Sequence, residues 1–245
     1  MNQSFIDYRP SLCFNTYIVP KTPETFPGID LTAADSLLSE DSQPEFLGGG
    51  FNSSAWAIGS QVLKITSQTK DKPDAITLLD AMQHEHATKE PYIGDNMPAT
   101  DYSLAKEKSG HGFRVVTVQP FIEGISPRDF FTEPDANVEP FIDFLERSRE
   151  CYQQTGLMPD IGCIENRFFW PLADANTLIQ EDRDNHPMLV DTTSGKTQRH
   201  PVAGKLWNKL IYLRAGHAIN ELSWRLHETS EDVEIAQPPI QNEGF

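Results

Sequence analysis

Apolar and polar residues change rhythm near the middle of this chain. Within residues 45–66, "EFLGGGFNSSAWAIGSQVLKIT", the short apolar runs "AWAI" and "QVLKIT" are separated only by Gly59-Ser60. That pattern predicts two strands joined by a tight hairpin turn. From Lys72 to Tyr92, "KPDAITLLDAMQHEHATKEPY" spaces Ile76, Leu78, Leu79 and Met82 as a helix would, after a Pro73-Asp74 start. "GFRVVTVQPFIEG", 112–124, predicts a strand ended by Pro120 and Gly124. The first half reads strand, strand, strand, helix, strand.

Beyond Gly124 the period becomes helical. "VEPFIDFLERSRECYQQTG", 138–156, aligns Phe141, Phe144, Leu145 and Tyr152 on one stripe, with Gly156 as the stop. "RFFWPLA" and "PMLVDT" predict two strands, with "QEDRDN" as a solvated turn between them. Residues 205–228 read as one long helix or two short ones. At the other end, prolines at 10, 20, 23 and 27 predict an extended lead-in, and "DLTAADSLLSED" a short helix capped by Asp30 or Thr32. The expected organisation is an α+β protein of two lobes. Residues 1–42 form an N-terminal extension packed on the first lobe, and 43–124 a β-rich lobe with one helix. Residues 125–228 form a larger, mostly helical lobe, and 229–245 a flexible acidic tail.

Composition narrows the partners. A formal net charge of -16 over 245 residues repels nucleic acid phosphates and anionic lipid, so neither is an expected partner. Three distant cysteines without a C-x-x-C argue against a disulfide framework or zinc site and for a reducing cytoplasm. No secretory leader and no run of about 18 apolar residues is seen. The expectation is a soluble intracellular protein.

Candidate chemistry sits in five places. Gly48-x-Gly50-x-x-Ser53 lies in the turn between two strands, where glycine lets backbone N–H groups close over phosphate oxygens or simply makes a flexible hairpin. Lys64, between Leu63 and Ile65, alternates onto the opposite face of its strand. An ammonium there needs an anionic partner, unless the strand is an exposed edge. On the predicted helix, Glu85 is the first choice to hold that lysine and Glu90 the second. In "LMPDIGCIEN", Asp160 can accept a proton from a hydroxyl and Asn166 can help ligate a hard cation, or both can serve the turn. Asp191, ending an apolar strand, is a magnesium ligand or a turn residue. His84 and His86 flank Glu85 but splay about 100° apart per residue, and read as surface or packing residues.

In this order the features resemble the protein-kinase-like fold, closer to its aminoglycoside- and choline-kinase relatives than to protein kinases proper, over about 43–226. The resemblance implies a nucleotide-binding β-rich lobe, with Gly48, Gly50 and Ser53 in the loop over the ATP phosphates. Lys64 would contact the α- and β-phosphates and pair with Glu85. It assigns the adenine contacts of the hinge "VQPFIEG" to the Gln119 carbonyl and the Phe121 N–H. It makes Asp160 the catalytic-loop aspartate, and Asn166 and Asp191 the ligands of Mg2+. The implied activity is ATP- and magnesium-dependent phosphoryl transfer to a hydroxyl. The alternative is an inactive, pseudokinase-like nucleotide-binding or interaction module. Departures are plain: "MPD" stands for H-R-D, "DTT" for D-F-G, and the Asp160–Asn166 spacing is one residue longer than the family's. There is no A-P-E, and about 14 residues separate Asp191 from the next predicted helix. That leaves little room for a peptide platform, so a small-molecule acceptor is expected over a protein.

Overall fold

The computed structural model describes residues 28–30, 44–49, 53–67, 70–133, 135–161, 176–190 and 201–235. It is α+β, with a six-stranded antiparallel sheet, a separate two-stranded hairpin and a few helices. The strands are β1 (Ile29–Asp30), β2 (Glu45–Gly49), β3 (Ser53–Ile58), β4 (Gln61–Thr66), β5 (Asp101–Glu107), β6 (Phe113–Pro120), β7 (Thr177–Gln180) and β8 (His186–Leu189). Among the described residues the helices of four or more residues are α1 (Lys72–Ile93), the single turn α2 (Pro127–Phe130), α3 (Glu139–Thr155) and α4 (Pro201–Ile235). The large sheet runs β1-β5-β6-β4-β3-β2, and β7 pairs with β8.

The β3–β4 hairpin forms as its sequence predicts. Ile58 pairs with Gln61 across Gly59-Ser60, and Gly59 takes φ 59°. Alternation along β4 separates two faces. Leu63 and Ile65 are fully buried in an apolar cluster with Trp56, Ile58, Val116 and Val118. The other face carries Val62, Lys64, Thr66, Thr117 and Gln119, more polar but almost as deeply covered.

Helix α1 begins where Pro73 and Asp74 predict, with the Asp71 side chain accepting from the Asp74 N–H at 3.0 Å. Its inward positions are Ala75, Met82, Glu85, Lys89 and Ile93, whereas Ile76 is 40% exposed. Helix α3 buries Phe141, Phe144 and Leu145 completely and stops at Gly156, whose φ of 75° suits glycine. These residues pack with Ile211, Ala215, Ile219 and Leu222 of α4 into the larger core cluster. Each buried Phe or Leu contributes roughly 1.5–3 kcal/mol relative to exposure.

Three differences from the sequence-based expectation stand out. Strand β5, "DYSLAKE", is an added strand, and its only fully buried apolar residue is Ala105, which explains its weak pattern. The hairpin partner of β8 is "TLIQ", while "RFFWPLA" lies outside the described residues, as do the short helix expected after Asp30 and residues 1–27. Helix α4 is one continuous helix to Ile235 and takes in 229–235, the first residues of the expected acidic tail. Ile29 and Asp30, of the expected N-terminal extension, pair with Glu107 and Lys106 at the sheet edge.

Gly124 joins the sheet to the second half of the chain. A Cβ there would stand 2.7 Å from the Ile179 carbonyl oxygen, so only glycine allows the approach. Next to it, Ile125 and Ile179 exchange backbone hydrogen bonds of 3.0 and 2.8 Å, docking the β7–β8 hairpin against the segment that follows β6.

Candidate functional site

A transverse row across the second face of the sheet positions Lys64. Ala55 lies opposite it on β3 and Thr117 on β6, and Tyr102 of β5 lies beyond Thr117. The Lys64 ammonium hydrogen-bonds the carbonyl oxygen of Val190, 126 residues away in sequence. The buried Gln119 side chain donates to the same oxygen at 3.1 Å. Two donors from adjacent strands thus converge on the residue that precedes Asp191.

Val190 is held from behind. Its N–H donates to the Asn176 carbonyl at 2.8 Å. Asn96, fully buried just after α1, donates to the Pro187 carbonyl at 2.7 Å and meets the His186 ring at 3.3 Å. The His186 ring also lies 2.8 Å from the Asp95 carbonyl. The end of α1 therefore fixes the strand that delivers Val190 to Lys64.

Gln119 and Phe121, expected to contact a base, turn their backbone groups into the sheet. The Phe121 N–H donates to the Ser60 carbonyl at 2.8 Å, and Gln119 pairs with Val62, so both turn their backbone groups toward β4. The physical reason is that the β4–β6 ladder continues past Pro120 into the Gly59-Ser60 turn. Successive residues of an extended segment direct their N–H and C=O groups to opposite edges. The Pro120 carbonyl consequently faces away from β4.

Glu85 and Lys89 form a buried ion pair on the inner face of α1, Nζ to Oε1 2.6 Å, with side chains 6% and 0% exposed. The pair adjoins Cys151 of α3, whose thiol is pushed up by burial first; a Thr155 hydrogen bond and Lys89 oppose this, and Glu85 adds to it. Cys151 therefore stays a protonated packing group. Asp160 is 8% exposed in a tight turn closed by the Ile161 N–H to the Pro159 carbonyl, 2.9 Å. The Thr177 hydroxyl donates to the Ile161 carbonyl at 2.9 Å and ties that turn to β7. Gly48 lies in β2 opposite Ala55, beside a register shift, and Ser53 opens β3 opposite Thr66. Gly50, Asn166 and Asp191 lie outside the described residues. Among the described residues no three carboxylate, histidine or cysteine side chains gather to hold a metal, and no helix is long and apolar enough to cross a membrane.

His86 packs, as its place beside Glu85 on the helix implies. Its ring meets Tyr102 edge-on, with the Tyr102 hydroxyl 3.0 Å from Nδ1. Burial holds its pKa below the ordinary 6.5, with Glu90 opposing and Lys89 assisting. The folded state therefore binds fewer protons than the unfolded chain between its lowered pKa and 6.5. His86 stability is fully present above 6.5 and is lost as pH falls through the folded value. The urea midpoint is expected to drop between about pH 7.5 and pH 5 by more in the wild type than in His86→Gln. Equal drops would remove His86 from the acid sensitivity.

The site thus consists of a cation and an amide on one sheet face, reaching a carbonyl on a hairpin from the far end of the chain. No protein-family model matches this sequence, and no curated protein matches it at a significant level.

Proposed function

We propose that this protein is an ATP- and magnesium-dependent phosphotransferase of protein-kinase-like, two-lobed fold, acting on a hydroxyl of a small molecule. The observation that carries the reading is the convergence of Lys64 and Gln119 on Val190. A segment before residue 90 and one after 155 meet at the point where a polyphosphate and its metal would have to be shared. Support also comes from the order of the described elements: glycine-bearing strand, lysine strand, helix with a buried glutamate, strand, helix, Asp160 turn, hairpin.

The donors fit a phosphate. An ammonium on this face can hold an anionic phosphate oxygen through a charge-assisted bond. Asn166 and Asp191 would hold Mg2+, which supplies charge neutralisation on the transferring group. Asp160 would take the proton of the acceptor hydroxyl. Base contacts would then fall to the Pro120 carbonyl, which faces away from β4, in place of the Gln119 carbonyl and Phe121 N–H. An acidic chain suits a cationic acceptor.

A second reading, an inactive nucleotide-binding or interaction module, is favoured by one observation: Asp160 is 8% exposed, deep for a base that must meet an acceptor. Thermal unfolding with ATP, with and without Mg2+, tests the nucleotide. Binding at about 100 times Kd adds ~2.7 kcal/mol, or roughly 5–10 °C in a chain of this size. Asp191→Ala should remove the magnesium-dependent part. No shift at millimolar ATP would overturn both nucleotide readings, and a shift without turnover in an acceptor screen would select the second.

A further inference from the structure

Helix α4 has two apolar faces. One, with Asn208, Ile211, Ala215, Ala218 and Leu222, is buried against the core. The opposite face carries Leu206, Leu210, Leu213, His217, Asn220 and Trp224, all exposed. Their spacing of 4, 3, 4, 3 and 4 residues is that of a helix-pairing seam, about 27 Å long. Of the five large hydrophobic side chains exposed among the described residues, four lie on this seam: Leu206 at 69%, Leu210 at 37%, Leu213 at 57% and Trp224 at 61%. Concentration on one stripe, rather than scatter, marks a surface that is covered by something.

We propose that the seam is the contact surface of a second copy of this chain, paired with α4 antiparallel to α4. Charge selects both the occupant and the direction. The amino part of α4 carries Lys205 and Lys209, and the part beyond His217 carries Glu221, with Arg225 after it. Parallel pairing sets like charges together. Antiparallel pairing, with Leu213 at the level of His217, sets Lys209 of one copy opposite Glu221 of the other, and opposes the helix dipoles as well. The seam is self-complementary in that direction: Leu213 falls opposite His217, and Leu206 opposite Trp224 of the second copy. A cavity of about 630 Å³ opens beside Leu206, lined also by Tyr152, Leu157, Lys205 and Lys209. The indole of the second copy enters there, with apolar walls on its sides and lysine ammonium groups near its face. The polar His217 and Asn220 fix the register at a cost in affinity. A single helix pair buries less than the roughly 800 Å² per partner of a standard interface, so the dimer is reversible, with Kd on the order of micromolar.

Sedimentation equilibrium on the full chain decides it. The apparent mass should rise from 27.6 kDa toward twice 27.6, or 55.2 kDa, as concentration approaches about 100 µM. Leu213→Glu and Trp224→Glu should each raise Kd by about 100-fold or more at unchanged helical circular dichroism. Lys209→Glu, which sets two carboxylates against each other at Glu221, should raise it by about 10-fold, and carries the test should either seam variant lose helicity. A chain that stays monomeric to about 100 µM overturns the proposal, whether an intramolecular segment or another protein covers the seam. So does a dimer that all three variants leave intact.

Discussion

Lys64→Met is expected to weaken Mg-ATP binding by roughly 100-fold while leaving the protein folded. A charge-assisted hydrogen bond contributes about 1.5–3 kcal/mol, and each 1.4 kcal/mol is tenfold in affinity. The Nζ lies on the polar face of the sheet, between Ala55 and Thr117, with Leu63 and Ile65 turned into the apolar cluster behind it. Methionine keeps the length of the stem and removes the charge. The Val190 carbonyl keeps Gln119 as a donor at 3.1 Å, so the stability cost is about 1 kcal/mol, a few degrees in Tm. Gln119→Leu is the complementary variant. It should cost similar stability, because the buried carbonyl loses a donor, yet retain Mg-ATP binding through Lys64. Calorimetric titration of both variants reads the difference. Equal loss in both would mean that the two side chains only hold the hairpin, and Lys64 would have no claim on a phosphate.

The legible parts of this chain are those in which local chemistry and packing agree. The β3–β4 hairpin follows from Gly59-Ser60 between apolar runs, and α3 from its stripe of Phe141, Phe144 and Leu145 and its glycine stop. The outward turn of Lys64 follows from alternation alone. Helix α1 is legible by its Pro73-Asp74 start but not by its face. Glu85 and Lys89 occupy inward positions that an apolar template leaves empty, and Ile76 points outward. The backbone direction at Gln119 and Phe121 is not legible, because it depends on ladder register, which residue types do not encode. Only the Phe121-to-Ser60 bond reveals it. The convergence on Val190 brings β4 and β6 to a residue 126 positions beyond Lys64. Its geometry depends on contacts such as Gly124 against Ile179 and Asn96 against Pro187, which join positions far apart in the chain.

Lys89→Met is expected to destabilise the fold by about 3–5 kcal/mol, the largest loss foreseen for a single polar substitution here. The ammonium is fully buried and 2.6 Å from Glu85, so its removal strips a buried carboxylate of this ion-pair contact in a region of low dielectric. Replacing both, Glu85→Leu with Lys89→Met, should recover most of the loss, because desolvation cancels much of the attraction within a buried pair. A double-mutant cycle by urea unfolding measures the coupling, and additive losses would show that the pair is not a unit. The same variants separate structure from chemistry. The kinase-like reading gives Glu85 to Lys64, whereas Glu85 here bonds Lys89 on its own helix. If Glu85 serves the nucleotide, Glu85→Gln should weaken Mg-ATP binding well beyond Lys89→Met, once each is measured below its unfolding range. If it serves only α1, both variants should bind Mg-ATP as the wild type does, and Glu85 would have no part in holding phosphate.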